Sequence, residues 1–233
     1  MKQFSNRYIF IFSSIMVVAV ATLLSLAATL LQPAQAKNLE IEKKKSILES
    51  INIPADKDNA EELYDKYIKE SFVLNSKGET VEGVDAFTVA MNIEQKKPLD
   101  QQYLPVFRAM PDNGEKLIVL PLEGKGLWGP IYGYISLKSD MNTIYGATFD
   151  HKGETPGLGA EINQPEFEGM FEGKTIYEDG KFVSVGVLKG GAKDDDPHGV
   201  DAISGGTITS KGLEKMLLDC IVKYNDYLLK NRN

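Results

Sequence analysis

The chain has 233 residues, with 26 Lys and Arg against 33 Asp and Glu, a formal net charge of -7. That acidic balance excludes general nucleic-acid binding. A single cysteine and two histidines exclude an internal disulfide framework and a cysteine-based metal centre.

Residues 8–31 form an uncharged apolar run, long enough to cross a bilayer at ~1.5 Å per residue. Lys2 and Arg7 precede it, and Ala34-Gln35-Ala36 after it has the form of a signal-peptidase site. A secretory apolar region is usually about 7–15 residues, so the length favours an uncleaved anchor over a cleaved signal. Lys37, Lys43, Lys44 and Lys45 follow, diluted by Glu40 and Glu42, so charge alone does not set the orientation. The run has no Asp, Glu, Lys, Arg or His that would mark an ion path.

About 195 residues remain beyond the run, enough for one domain with its own core. Residues 39–53 read as a juxtamembrane helix, with Ile41, Ile47, Leu48 and Ile51 on a loose apolar face and Pro54 ending it. Residues 59–72 read as a second helix from the spacing of Leu63, Tyr64, Tyr67 and Ile68. Residues 85–94 fit a helix or a strand equally well. Residues 117–121 are a short buried strand, and 131–137 and 143–149 form a hairpin around the turn Ser139-Asp140-Met141-Asn142. Residues 182–188 alternate as a further strand. A closing helix over 211–229 carries Leu213, Met216, Leu217, Cys220, Ile221 and Tyr224 on one face, which makes Cys220 a buried core thiol. Helices flanking hairpin-connected strands give an α+β domain with an antiparallel sheet, preceded by one transmembrane helix. Asp194-Asp195-Asp196 reads as a solvated loop, and His151 and His198 as ordinary loop residues.

Two stretches carry chemistry. The first is Asp201-Ala202-Ile203-Ser204-Gly205-Gly206-Thr207-Ile208-Thr209-Ser210, just before the closing helix. Its glycines permit close backbone approach, and a helix N-terminus favours an anion such as phosphate. The plain alternative is a capping loop with Ser210 as N-cap, although Ser204, Thr207, Thr209 and Ser210 are more hydroxyls than one cap needs. The second is Glu154-Thr155-Pro156-Gly157-Leu158-Gly159, physically a Pro-Gly turn leading to a helix start. Neither is a dinucleotide fingerprint or a P-loop, and no Ser/His/Asp or paired-carboxylate constellation stands out.

Asp201-x-x-Ser204-Gly205-Gly206-Thr207 resembles the flavinylation motif of the FMN-binding domain family, D-x-x-(S/T)-G-A-(T/S), with Gly206 where that family usually has Ala. The resemblance implies FMN joined covalently to Thr207 through a phosphoester made by a flavin transferase, with Thr209 as the fallback acceptor. Together with Gly126-Leu127-Trp128, Tyr132-Gly133 and His151 to Gly159, roughly residues 110–220 and the N-terminal span are similar to the C subunits of the sodium-translocating NADH:quinone reductases. This implies residues 1–36 as cytoplasmic N-terminus and transmembrane anchor, 37–110 as a juxtamembrane helical region and the start of the extracytoplasmic domain, and 111–233 as the FMN-binding domain. It also implies a single-pass protein of the bacterial inner membrane with its large domain on the periplasmic side.

The flavin would contact Ser204, Gly205 and Gly206, with Leu127, Trp128 and Leu158 as its apolar wall; Trp128 reads equally as a core aromatic. Thr155 and Lys211 would stand near the phosphate. The other subunits of a six-subunit complex would be its partners, relaying electrons from NADH towards quinone while sodium is exported. No NADH site, iron–sulfur ligand set or quinone pocket is visible in this chain. Two other readings remain open: the G-type subunits of the related Rnf electron-transport complex, which share the ETPGLG stretch, and a non-redox membrane-tethered binding or assembly domain.

Overall fold

The computed structural model describes residues 5–232; Lys2 lies outside them. Two compact units emerge, Met1–Lys43 and Lys44–Asn233. The first unit is helix from Asn6 onward. Helix α1 spans Asn6–Glu49 and is long and apolar enough to cross a membrane by length and composition. The separate helix expected over 39–53 does not exist. Pro33 sits inside α1, and the Ala- and Gln-rich residues around it keep the helix unbroken through Ala34-Gln35-Ala36. It ends at Glu49, followed by turns at Ser50 to Asn52, where Asn52 has φ 59°.

The second unit continues with α2 (Ala60–Tyr67), β1 (Ile68–Leu74), β2 (Thr80–Val81), α3 (Met91–Glu94) and β3 (Leu104–Ala109). Then come β4 (Leu117–Lys125), β5 (Pro130–Leu137), β6 (Ile144–His151) and α4 (Pro165–Glu168). Four short strands follow: β7 (Tyr177–Glu178), β8 (Lys181–Phe182), β9 (Gly186–Leu188) and β10 (Gly199–Asp201). The chain closes with α5 (Thr207–Ile221) and α6 (Asn225–Asn231), joined by a 3-10 turn at Val222–Tyr224. The main sheet is antiparallel throughout, in the order β2-β1-β3-β4-β5-β6.

Several sequence expectations are corrected. The helix expected over 59–72 stops at Tyr67, because the next residues pair with β3, from Ile68 opposite Ala109 to Leu74 opposite Leu104. Of residues 85–94 only Met91–Glu94, the single turn of α3, is helical and none is strand; before it Asp85 Oδ1 accepts the Phe87 N–H at 2.9 Å in a turn. The strand expected over 182–188 is split into β8 and β9 by Ser184, whose φ is 64°. The closing helix begins four residues early, at Thr207, so Ser210 is not its N-cap. The hairpin is present as expected, with Ile135 opposite Ala147.

Strand β4 explains the architecture. Leu117 to Leu122 are all buried, the pattern of a strand covered on both faces. Ile118, Leu120 and Leu122 join the core formed with Leu213, Met216, Leu217 and Ile221 of α5. Leu117 and Val119 join the opposite core with Ile47, Leu48, Ile51 and Tyr67. Pro121 is tolerated in β4 because pairing with β3 ends at Val119, so its missing N–H breaks no ladder bond there. Pro105 lies similarly outside the β3–β4 pairing, which begins at Phe107. Helix α5 lies close on β4: a side chain on Gly212 would run into the Lys125 carbonyl, and a Cβ on Gly124 would stand 2.6 Å from that of Met216.

The far edge of the sheet is closed by a carboxylate. Glu168 Oε1 accepts the Phe149 N–H at 2.6 Å and the Thr148 hydroxyl at 3.1 Å. Burial is the larger influence and pushes its pKa from the ordinary 4.5 to about 7, against the lowering effect of those two bonds. The folded state therefore binds this proton more tightly than the unfolded chain. Its stabilising contribution is full below pH 4.5 and is lost as pH rises to about 7. In Glu168→Gln, the fall in melting temperature across that window should flatten relative to wild type, as read by thermal scans at stepped pH.

Candidate functional site

Three segments meet at the N-terminal end of α5. The loop 126–129 joins β4 to β5, closed by Gly126 N–H donating to the Gly129 carbonyl at 2.9 Å. The turn 152–158 follows β6, with the Thr155 carbonyl accepting from the N–H groups of Leu158 and Ala160, both at 3.1 Å. The segment 202–206 follows β10 and feeds α5. Its approach is set by β10 pairing parallel with β9 and by Asp201, whose Oδ1 accepts the Ala192 N–H at 2.6 Å.

The turn itself depends on glycine. Gly205 has φ +73°, and a Cβ there would lie 2.6 Å from Leu158 Cδ2. Gly206 is the N-cap of α5, with φ -100°, and no side chain caps the helix. The N–H groups of Thr207, Ile208 and Thr209 have no protein partner among the described residues. Three orphan donors and the positive end of a 15-residue helix thus converge on one point. Such a terminus favours an anion.

The hydroxyls around this terminus have different fates. Ser210 is fully buried, and its Oγ accepts the Ile203 N–H at 3.1 Å. Thr209 is 1 % exposed and donates its hydroxyl to Glu154 Oε2 at 2.6 Å. Thr207 is half-buried and Ser204 is exposed, and neither hydroxyl has a protein partner among the described residues. The abundance of hydroxyls is thereby explained: two lock the turn and two stay open.

The apolar residues are also open to solvent. Trp128 is 69 % exposed, so it is not a core aromatic. Leu127, Leu158 and Ile208 are exposed as well, and Leu158 lies against Gly205. These side chains offer an apolar rim beside the uncapped terminus, the pairing of surfaces that an isoalloxazine ring and its ribityl phosphate require. Thr155 is exposed and its side chain has no protein partner among the described residues. Lys211 Nζ is paired with Glu214 at 2.9 and 3.0 Å, an exposed contact within one helical turn. His151 is not an idle loop residue either, since its Nδ1 accepts the Glu154 N–H at 3.2 Å.

Sequence reasoning places Glu154 in the turn without giving it a role. Its side chain is buried, with Oε1 accepting the Trp128 N–H at 2.8 Å and the Gly129 N–H at 3.4 Å. Burial alone would raise its pKa, but hydrogen bonds from Thr209 and the 127–129 backbone outweigh burial and leave it lowered. Its stabilising contribution is present above the ordinary 4.5 and is lost as pH falls through the lowered value. A partner 55 positions away leaves no trace in local periodicity; the only available signal was a carboxylate set among glycines.

Comparison with known proteins agrees with this geometry. Residues 126–222 match the FMN-binding domain family. The C subunit of the Na(+)-translocating NADH-quinone reductase of Haemophilus ducreyi is 34% identical over 203 residues, covering 81% of this chain and 79% of that one. The corresponding protein of Vibrio campbellii is 30% identical over 212 residues, covering 82% and 81%. Among solved structures, the C subunit of the Parabacteroides distasonis enzyme superposes with a TM-score of 0.79 at 45% identity, covering 85% of this chain and 96% of that one. NqrC of Shewanella oneidensis superposes at 0.70 with 26% identity, covering 82% and 98%. Residues 126–222 thus form an FMN-binding domain. More particularly, the chain belongs to the family of C subunits of the Na(+)-translocating NADH-quinone reductases. It is a flavoprotein subunit of an oxidoreductase complex, with the other subunits as its partners.

The two motif glycines should differ in tolerance. Gly205→Ala meets both a left-handed backbone and Leu158, and should cost roughly 1–2 kcal/mol or more. Gly206→Ala restores the usual family residue at an ordinary φ, and needs Ile203, whose Cγ2 would lie 2.9 Å from the new methyl, and the Gly159 backbone nitrogen, at 3.3 Å, to yield slightly. Urea unfolding of the two variants should rank Gly205→Ala as the more destabilised.

Proposed function

We propose that this chain is the membrane-anchored FMN relay of the sodium-translocating NADH:quinone reductase, with FMN esterified to Thr207. The observation that carries the reading is the uncapped start of α5, where three unpartnered N–H groups lie beside the open Thr207 hydroxyl. A phosphoester at Thr207 would put two phosphate oxygens within reach of those donors, so the terminus is capped by the cofactor. Ser204, Gly205 and Gly206 would border the phosphate, Leu127, Trp128 and Leu158 would face the ring, and Thr155 would lie at the phosphate's edge.

Attachment forms a bond between Thr207 Oγ1 and phosphorus. A phosphate monoester has no good leaving group, so the flavin transferase requires an activated flavin dinucleotide; its nucleoside monophosphate departs, and the hydroxyl proton passes to base. Thr209 fits the acceptor role less well, because its hydroxyl is buried and already donated. When bound, FMN supplies electron transfer between neighbouring redox subunits; the protein places it and keeps it from dissociating.

Residues 1–36 would supply a single-pass anchor in the bacterial inner membrane, 37–110 the juxtamembrane helical region and the start of the periplasmic domain, whose strands share the sheet with β4–β6, and 111–233 the FMN-binding part on the same side. A covalent tether suits that side, where a dissociated flavin would be lost. In the six-subunit complex, electrons would pass from NADH towards quinone through this flavin while sodium is exported. The uncharged run at 8–31 favours an ion path in the partner subunits.

The chain co-expressed with a flavin transferase should show an FMN adduct by intact mass and in-gel fluorescence. Thr207→Val should abolish it, while the adduct that forms in Thr209→Val, though less of it, should still map to Thr207. An adduct that persists in Thr207→Val would move the acceptor, and none in wild type would remove the covalent reading.

A further inference from the structure

We propose that Glu154 is the positioning residue of the flavin site, a clasp that fixes the Trp128 loop to the first turn of α5. The proposal rests on the reading of Thr207 as acceptor, but its logic is local geometry. One carboxylate offers about four acceptor positions. Here Oε2 takes the Thr209 hydroxyl, and Oε1 takes the backbone of Trp128 and Gly129. The carboxylate therefore ties together all three segments of the site: its own turn, the 126–129 loop and the helix that carries Thr207.

The surroundings are shaped to that group. A Cβ on Gly126 would lie 2.6 Å from Glu154 Oε1, and one on Gly159 would lie 2.6 Å from Oε2. Both loops thus carry glycine where the carboxylate passes. Thr209 Oγ1 crowds the same space at Gly159. A core carboxylate serving stability alone has no need to hold two solvent-exposed loops; this one ends at the backbone of exposed Trp128 and two residues beyond Thr207. The clasp has a second consequence: it occupies the only hydroxyl proton of Thr209 and leaves Thr207 as the open nucleophile of the pair.

Removing both oxygens at nearly constant length should release the loop. Glu154→Met leaves the Thr209 hydroxyl and the Trp128 N–H without their acceptor, whereas Glu154→Gln can still accept the Trp128 N–H with its amide oxygen and donate its NH2 to Thr209 Oγ1, and so should keep the clasp. Thr209→Val removes the other partner at constant volume, and Thr209→Ser restores it. Trp128 is the only tryptophan in the chain, so its emission reports the loop directly.

The test uses full-length chain. Trp128 anisotropy is measured without flavin, and occupancy at Thr207 is measured by peptide mass mapping after co-expression with a flavin transferase. Glu154→Met and Thr209→Val should both lower the anisotropy and reduce occupancy on the order of tenfold, as misplacement of a reacting group does. Thr209→Ser should match wild type in both. Unchanged anisotropy and occupancy in a folded Glu154→Met chain would overturn the clasp. If that variant does not fold, the Thr209→Val and Thr209→Ser pair decides, and equal behaviour of the two overturns it. Wild type lacking flavin on Thr207 would overturn the acceptor reading instead, while the anisotropy of the flavin-free chains still judges the clasp.

Discussion

The seating of α5 on β4 is the constraint on which the site depends. At Gly212 the helix backbone meets the Lys125 carbonyl with no side chain between, and at Gly124 the strand leaves room for the Met216 side chain. Leu213, Met216, Leu217, Cys220 and Ile221 then complete the core over the sheet. Further along the chain, Tyr224 donates its hydroxyl to the Pro105 carbonyl at 3.0 Å. A helix fixed this firmly along its length has a fixed N-terminus, and its start falls beside the loop in which β4 ends. The position of Thr207 is thus set by packing many residues away from it.

That packing also explains why the terminus can remain uncapped. Leaving three N–H groups without a protein partner is normally a cost to a helix, of about 1 kcal/mol for a missing N-cap. The buried apolar face of α5 outweighs such a loss, since each large side chain fully withdrawn from water contributes about 1.5–3 kcal/mol. A stable core therefore supports a helix start that is incomplete until an anion arrives.

The fold class was legible in the sequence, and so was the composition of the helix start, though not several individual strands. The run from Asp201 to Thr207 is local chemistry, and its glycines, hydroxyls and following apolar face can all be read along the chain. The closing helix and the β5–β6 hairpin were legible for the same reason: their periodicity lies within a few residues. Strands β1 and β3 were not. Leu63, Tyr64, Tyr67 and Ile68 keep helical spacing up to the point where the chain changes to strand, and β1 then exposes Lys69, Glu70 and Ser71. Its strand character comes from pairing with residues more than 30 positions away. Ser184 broke an alternating run through a single backbone angle. Glu154 was visible as a residue but silent in role, because what defines it is contact with Trp128 and Thr209, both distant in sequence.

The central claim is that the uncapped start of α5 receives the flavin phosphate through Thr207. The most direct measurement compares the amide nitrogen–proton NMR signals of Thr207, Ile208 and Thr209 in flavin-loaded and flavin-free chain, with phosphorus coupling or exchange protection as the readout. The account predicts that these three amides move together and become protected on loading, while amides at the far end of α5 stay in place. If loading leaves all three unchanged, the phosphate is held elsewhere and the account of the site is wrong.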